Sequence, residues 1–156
     1  VWIKSLSLSL ASLFMCGVAT AEGIQAQCGN EAGRAFALEG GLVDTSNAGW
    51  YDDTMRGETV VRIDLDIGTA DVRFRDATGL WQSVSDRGGT AGLWAAQAGP
   101  PSAFMVTVMY PGATVETLTI GGIQDNTATL VHTVSRVTDR ITNSRVMTAQ
   151  CIVTPY

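Results

Sequence analysis

From Thr59 onward the apolar positions of the chain recur every second residue, the signature of strands with one buried face. Val61, Ile63, Leu65 and Ile67 alternate with Arg62, Asp64 and Asp66, and after Gly68 the pair Val72 and Phe74 alternates with Asp71, Arg73 and Arg75. The two runs predict a hairpin whose acidic and basic residues share one face, where cross-strand charge pairs contribute about 0.2 to 1 kcal/mol each. Asp76 to Gly79 reads as a turn, Leu80 to Ser85 as a strand, Asp86 to Gly89 as a second turn, and a further strand runs through Leu93 and Trp94. Gly99-Pro100-Pro101 then stops the ladder, because proline cannot donate to it.

Phe104, Val106, Val108 and Tyr110 form the clearest alternating face, with Met105 and Met109 opposite. Tyr110-Pro111-Gly112-Ala113 turns that strand into Thr114 to Ile120, and Thr127 to Ser135 and Ser144 to Val153 complete the series. Strands recurring at this interval predict an all-β fold, an antiparallel meander forming a small up-and-down or partly open barrel of about seven or eight strands, with a two-sheet sandwich as the alternative. The stretch before Glu58 is less regular. Ala32 to Leu38 fits a short helix or a first strand, and residues 39–58 carry no periodicity and read as a loop.

The first 21 residues have another character. Lys4, an apolar run from Leu6 to Val18, and Ala19-Thr20-Ala21 are the three parts of a cleavable secretory signal. The run is shorter than the roughly 20 apolar residues of a membrane span and is broken by serines. Met15 beside Cys16 is a poor lipidation context. Residues 22–156 are then expected to form one β domain, long enough for a single core. Lys4 is the only lysine, so that domain sets nine arginines against fifteen acids. An acidic balance of this kind disfavours nucleic acid and anionic membranes as partners.

Cys28 and Cys151 remain after the signal, near opposite ends of the domain, and are expected to form a disulfide in a bacterial periplasm or outside the cell. The closed loop corresponds to about 4 to 5 kcal/mol of chain entropy. Neither cysteine has a Cys-x-x-Cys partner or a neighbouring histidine, which argues against redox or metal chemistry.

Chemistry-bearing residues are few. His132 is the only histidine and shares its strand face with Ala128, Leu130 and Val134, the position of a hydrogen-bonded core or cavity-facing imidazole. Asp64, Asp66 and Asp71 with Gly68 look like the start of a calcium loop, but the closing glutamate is absent and the run fits a strand better. Trp50-Tyr51-Asp52-Asp53 places two aromatics beside two carboxylates, a combination suited to stacking on a sugar or anchoring a partner. Trp81 and Trp94, with Phe104, Met105 and His132, are expected near any internal cavity. No local signature of a nucleophile, metal set or phosphate-binding glycine loop occurs, so no enzyme, metal or cofactor is expected. The composition fits a non-catalytic binding module for a small apolar ligand or a glycan, through Trp50, Tyr51, Asp52, Asp53, Trp81, Trp94 and His132. The alternative is an interaction factor that meets an envelope protein, or an inhibitor of an extracytoplasmic hydrolase acting through a loop. No stable membrane insertion is expected.

Overall fold

The computed structural model of the chain describes residues 23–76, 78–95 and 103–156, and the expected signal segment with Cys16 lies outside them. The described residues form eleven strands in one antiparallel sheet: β1 Gly23–Cys28, β2 Glu31–Ala37, β3 Gly49–Met55, β4 Glu58–Asp64, β5 Thr69–Arg75, β6 Trp81–Ser83, β7 Thr90–Ala95, β8 Ala103–Tyr110, β9 Thr114–Gln124, β10 Thr127–Val137 and β11 Thr142–Pro155. A 3-10 turn, Ser85–Arg87, links β6 to β7.

Hydrogen-bonded neighbours run β6-β5-β4-β1-β11-β10-β9-β8-β7, while β2 lies between β11 and β3. The ladder does not close into a barrel: β6 and β7 end it on either side, although β5 and β7 come into contact across the seam. The sheet is therefore curled around a single core. Val61, Ile63, Val72, Val106, Val108, Leu118, Ile120 and Leu130 supply that core, all fully buried and drawn from both ends of the sheet. The alternation from Phe104 onward predicted this face, because side chains two apart on a strand point the same way.

β11 organises the remainder. One edge pairs with β10 over eleven residues from Thr142 to Ile152. The other edge pairs with β2 through Asn143–Thr148 and with β1 through Cys151–Pro155. Cys28 and Cys151 stand directly opposite in that second ladder and are bonded, as expected from the sequence. The bridge ties the N-terminal strand to the last one inside the core, since both cysteines are buried.

Between β1 and β2 the chain takes in one extra residue. Ile24, Ala26 and Cys28 face inward on even numbers, whereas Glu31, Ala35 and Ala37 do so on odd ones. β11 keeps one inward phase throughout, through Met147, Ala149, Cys151 and Val153. The slip is a β-bulge at Gly29-Asn30, which re-aims the side chains that follow. On the adjoining β3–β4 passage Gly57 has φ +141° and its N–H donates to Asn30 Oδ1 at 3.0 Å, so the two irregular points are joined. A Cβ on Gly57 would lie 2.2 Å from the Arg75 carbonyl oxygen, which excludes any larger residue there.

Two sequence expectations need correction here, and one alternative is decided. Residues 39–58 are not one loop, since β3 occupies Gly49–Met55; it borders only β2, and its exposed edge position hides the alternation that burial would impose. Of the two forms open to Ala32 to Leu38, the chain takes the strand, as β2. Leu65 and Ile67 do not continue the inward face of β4, for the strand ends at Asp64, whose Oδ1 accepts the N–H groups of Asp66 and Ile67 and closes the turn. Both apolar side chains are exposed.

Candidate functional site

The slip at Gly29-Asn30 points Glu31 into the core, where it is 1% exposed. Its Oε1 accepts the Thr59 hydroxyl at 2.8 Å and its Oε2 lies 2.7 Å from His132 Nδ1. On the far side of the imidazole, Nε2 is 3.6 Å from Glu116 Oε2. That gap is longer than a hydrogen bond, so Glu116 acts on the ring through its charge. Burial disfavours a charged imidazole, but the carboxylates of Glu116 and Glu31 outweigh it and hold His132 at about 9. At neutral pH the ring is an imidazolium that donates from Nδ1 to Glu31. Phe74 lies nearly parallel to it, with ring centroids 6.2 Å apart.

This buried group forms part of the floor of a cavity of about 730 Å³ at one end of the curled sheet. The Tyr110–Thr114 turn, the Thr138–Ile141 turn and the β3–β4 junction surround it. Six of the nine arginines line the cavity: Arg56, Arg75, Arg87, Arg136, Arg140 and Arg145. Three carboxylates accompany them, each facing a neighbouring group. Glu58 faces Arg75 at 3.8 Å, Asp76 accepts the Thr78 hydroxyl and two backbone N–H groups of its own turn, and Glu116 faces His132. Arg145 reaches Asp53 at 3.5 Å, and Arg87 lies over the Tyr110 ring at 5.5 Å. Arg56, Arg136 and Arg140 make no ion pair among the described residues. In a chain with net charge −5, the wall of this one cavity is strongly positive.

A second property marks the same place. Four buried side-chain polar atoms have no hydrogen-bond partner among the described residues: Tyr110 Oη, Glu116 Oε2, His132 Nε2 and Arg145 Nε. All four belong to residues of this cavity wall. Unsatisfied buried polar atoms are costly and rare, so four of them converging on one cavity call for an explanation. Burial first, and then the nearby Glu116 charge, push the Tyr110 hydroxyl up to about 12, so it remains a proton donor.

The structure divides the residues singled out in the sequence. His132 lies in the cavity floor, as a hydrogen-bonded, buried imidazole. Trp50 and Tyr51 point to opposite faces of β3. Trp50 is 62% exposed on the outer face, packed edge-on against Phe36 at 5.2 Å with Arg34 over its ring. Asp52 pairs with Arg34 on that outer side, whereas Asp53 turns inward to Arg145. The four consecutive residues therefore do not form one patch. Neither Trp81 nor Trp94 lines the arginine cavity: both side chains are exposed, at 46% and 61%, on strands next to the seam, and Trp81 borders a separate surface pocket with Asp71 and Arg73. Phe104 is core and Met105 is exposed on the outer face. Asp64, placed with Asp66 and Asp71 in the calcium alternative, instead caps its own turn.

Glu31, Glu116, Tyr110 and the arginines were not singled out by sequence. A signal for some of them is present: Glu116 precedes Leu118 and Ile120 in the inward phase of β9, Arg136 follows His132 and Val134 on β10, and Arg145 precedes Met147 and Ala149 on β11. In an antiparallel sheet those three positions fall at the same end, because Val134 is paired with both Glu116 and Arg145. Charges in the inward phase at a shared end are a legible mark of a polar cavity. Glu31 had no such mark, since its phase depends on the bulge.

No protein-family model matches the chain, and no curated protein or solved structure matches it significantly.

Proposed function

We propose that this is a non-catalytic binding domain of the bacterial periplasm or extracellular space, which holds a small organic anion in the arginine-lined cavity. The observation that carries this reading is the gathering of six of nine arginines around one cavity in an acidic chain. Guanidinium groups offer planar, paired donors that match carboxylate and phosphate oxygens, and they keep their charge at every physiological pH. A volume of about 730 Å³ falls within the range of small-molecule sites. An apolar ligand suits such a wall poorly, because it would desolvate several cations without compensation. The Cys28–Cys151 disulfide supports an oxidising compartment.

Titration calorimetry with a panel of small carboxylates and phosphates, at low and at physiological salt, tests the reading. At least one anion is expected to bind with a dissociation constant below about 1 mM, to weaken with salt, and to lose affinity about fivefold or more in R136M and R140M. Binding of long-chain alcohols with no response to any anion would refute it. The second reading, a protein-interaction factor, draws support from the exposed Trp50 with Phe36 and Arg34; it predicts partner capture that is lost in W50A and indifferent to R136M.

A further inference from the structure

From the four unpartnered polar atoms beneath the arginines we infer that the anion is a hydroxylated acid, of the uronic acid class, bound with its acid group at the mouth and its hydroxyls at the floor. The inference rests on the binding reading above and specifies its ligand. The orientation follows from the distribution of charge. Arg56, Arg75, Arg87 and Arg140 are exposed and line the mouth, whereas Glu116 is 8% exposed and lies deep. A ligand carboxylate at the floor would meet the Glu116 carboxylate, and like charges at that range repel strongly when desolvated. A ligand carboxylate at the mouth meets guanidinium groups instead.

The floor then asks for neutral groups that both donate and accept. His132 Nε2, as part of an imidazolium, can only donate, while Glu116 Oε2 can only accept, and the two lie 3.6 Å apart. A single hydroxyl oxygen at ordinary hydrogen-bond distance from both would accept from Nε2–H and donate to Oε2. Glu116, the more exposed of the pair, has to turn slightly toward the cavity to admit it. Tyr110 Oη supplies a further donor and acceptor, and Arg145 Nε a donor. Neither an alkyl acid nor inorganic phosphate satisfies this set. An alkyl acid has no hydroxyl to offer, and phosphate brings charge to the carboxylate. Phe74 and Ile141 in the same wall give the apolar area on which the C–H face of a sugar ring packs.

Calorimetry at pH 7 on the disulfide-bonded protein with three six-carbon probes, D-glucuronate, D-glucose and hexanoate, separates the possibilities. Glucuronate is expected to bind at least tenfold tighter than either of the others. Y110F and E116Q, with folding checked by thermal melting, are expected to weaken glucuronate about fivefold or more while leaving hexanoate unchanged. Hexanoate binding as tightly as glucuronate, with both insensitive to Y110F and E116Q, would overturn the hydroxyl floor and leave an anion site standing. Glucose binding as tightly as glucuronate would overturn the role of the acid group. Failure of all three probes, while other anions bind and respond to R136M, would overturn the uronic acid class alone. Failure of every anion would overturn the binding reading as well.

Discussion

Raising the pH from 6.5 to 9 at fixed temperature should destabilise this protein through one residue. His132 titrates near 6.5 when unfolded and at about 9 when folded. A group whose folded value is raised contributes stability that is complete below its unfolded value and is lost as the pH rises through the folded one. The difference converts to roughly 3 kcal/mol, declining by about 1.4 kcal/mol per pH unit across the window. It originates in the 2.7 Å contact with Glu31 and in the Glu116 charge, both buried with the ring. For a domain of this size the loss corresponds to a fall in melting temperature on the order of 10 °C. No other histidine shares the window, and Cys28 and Cys151 are bonded and do not titrate. Urea unfolding at half-unit steps from pH 6 to 10 measures the effect, and the imidazole C–H resonance of His132 gives its midpoint independently. H132Q should be less stable throughout and flat across this window, since its amide cannot charge. A wild-type profile that is flat between pH 6.5 and 9, or a resonance midpoint at or below 6.5, would show that the imidazolium between two carboxylates does not form.

Other perturbations test separate parts of the structure. E31A removes the partner of a buried imidazolium and the acceptor of the Thr59 hydroxyl, and chemical denaturation should record a loss of about 3 to 5 kcal/mol. E31Q should cost less than E31A, because its amide oxygen still accepts from the ring. Replacing Cys28 and Cys151 together by alanine should lower stability by about 4 to 5 kcal/mol, read from urea midpoints, since the bridge spans 123 residues of sequence. W50A should cost only about 1 kcal/mol by melting, the worth of its edge contact with Phe36 and its cation contact with Arg34, and should leave anion binding unchanged.

The contrast between His132 and Glu31 shows what was legible in the sequence. Period-two patterning places Val106, Leu118, Leu130 and His132 inward because one buried face constrains every second residue, and the structure agrees. The Cys28–Cys151 bridge was legible on other grounds, since these are the two cysteines that remain beyond the signal segment. Periodicity fails where a local backbone choice outranks the pattern: at the Gly29-Asn30 slip that brings Glu31 inside, at the Asp64 turn that leaves Leu65 and Ile67 outside, and at edge strand β3, which has little burial to impose alternation. Trp81 and Trp94 depart from the pattern for another reason. Large apolar residues are assigned to cores by default, yet Trp81 and Trp94 lie on the two strands that end this sheet. The arginine cavity is assembled from β3–β4, β5, the β8–β9 turn and the β10–β11 turn, so its composition becomes visible only after the sheet has curled.

On the proposed reading one cavity, and no other arginine surface, binds the anion. Arginine side-chain Nε–Hε resonances, followed by NMR during titration with D-glucuronate, distinguish the six cavity arginines from the other three. Arg136, Arg140 and Arg145 are predicted to shift saturably along one isotherm, while Arg34, Arg62 and Arg73 stay in place. Equal, unsaturable shifts of all nine, or shifts confined to Arg34, Arg62 and Arg73, would contradict the account.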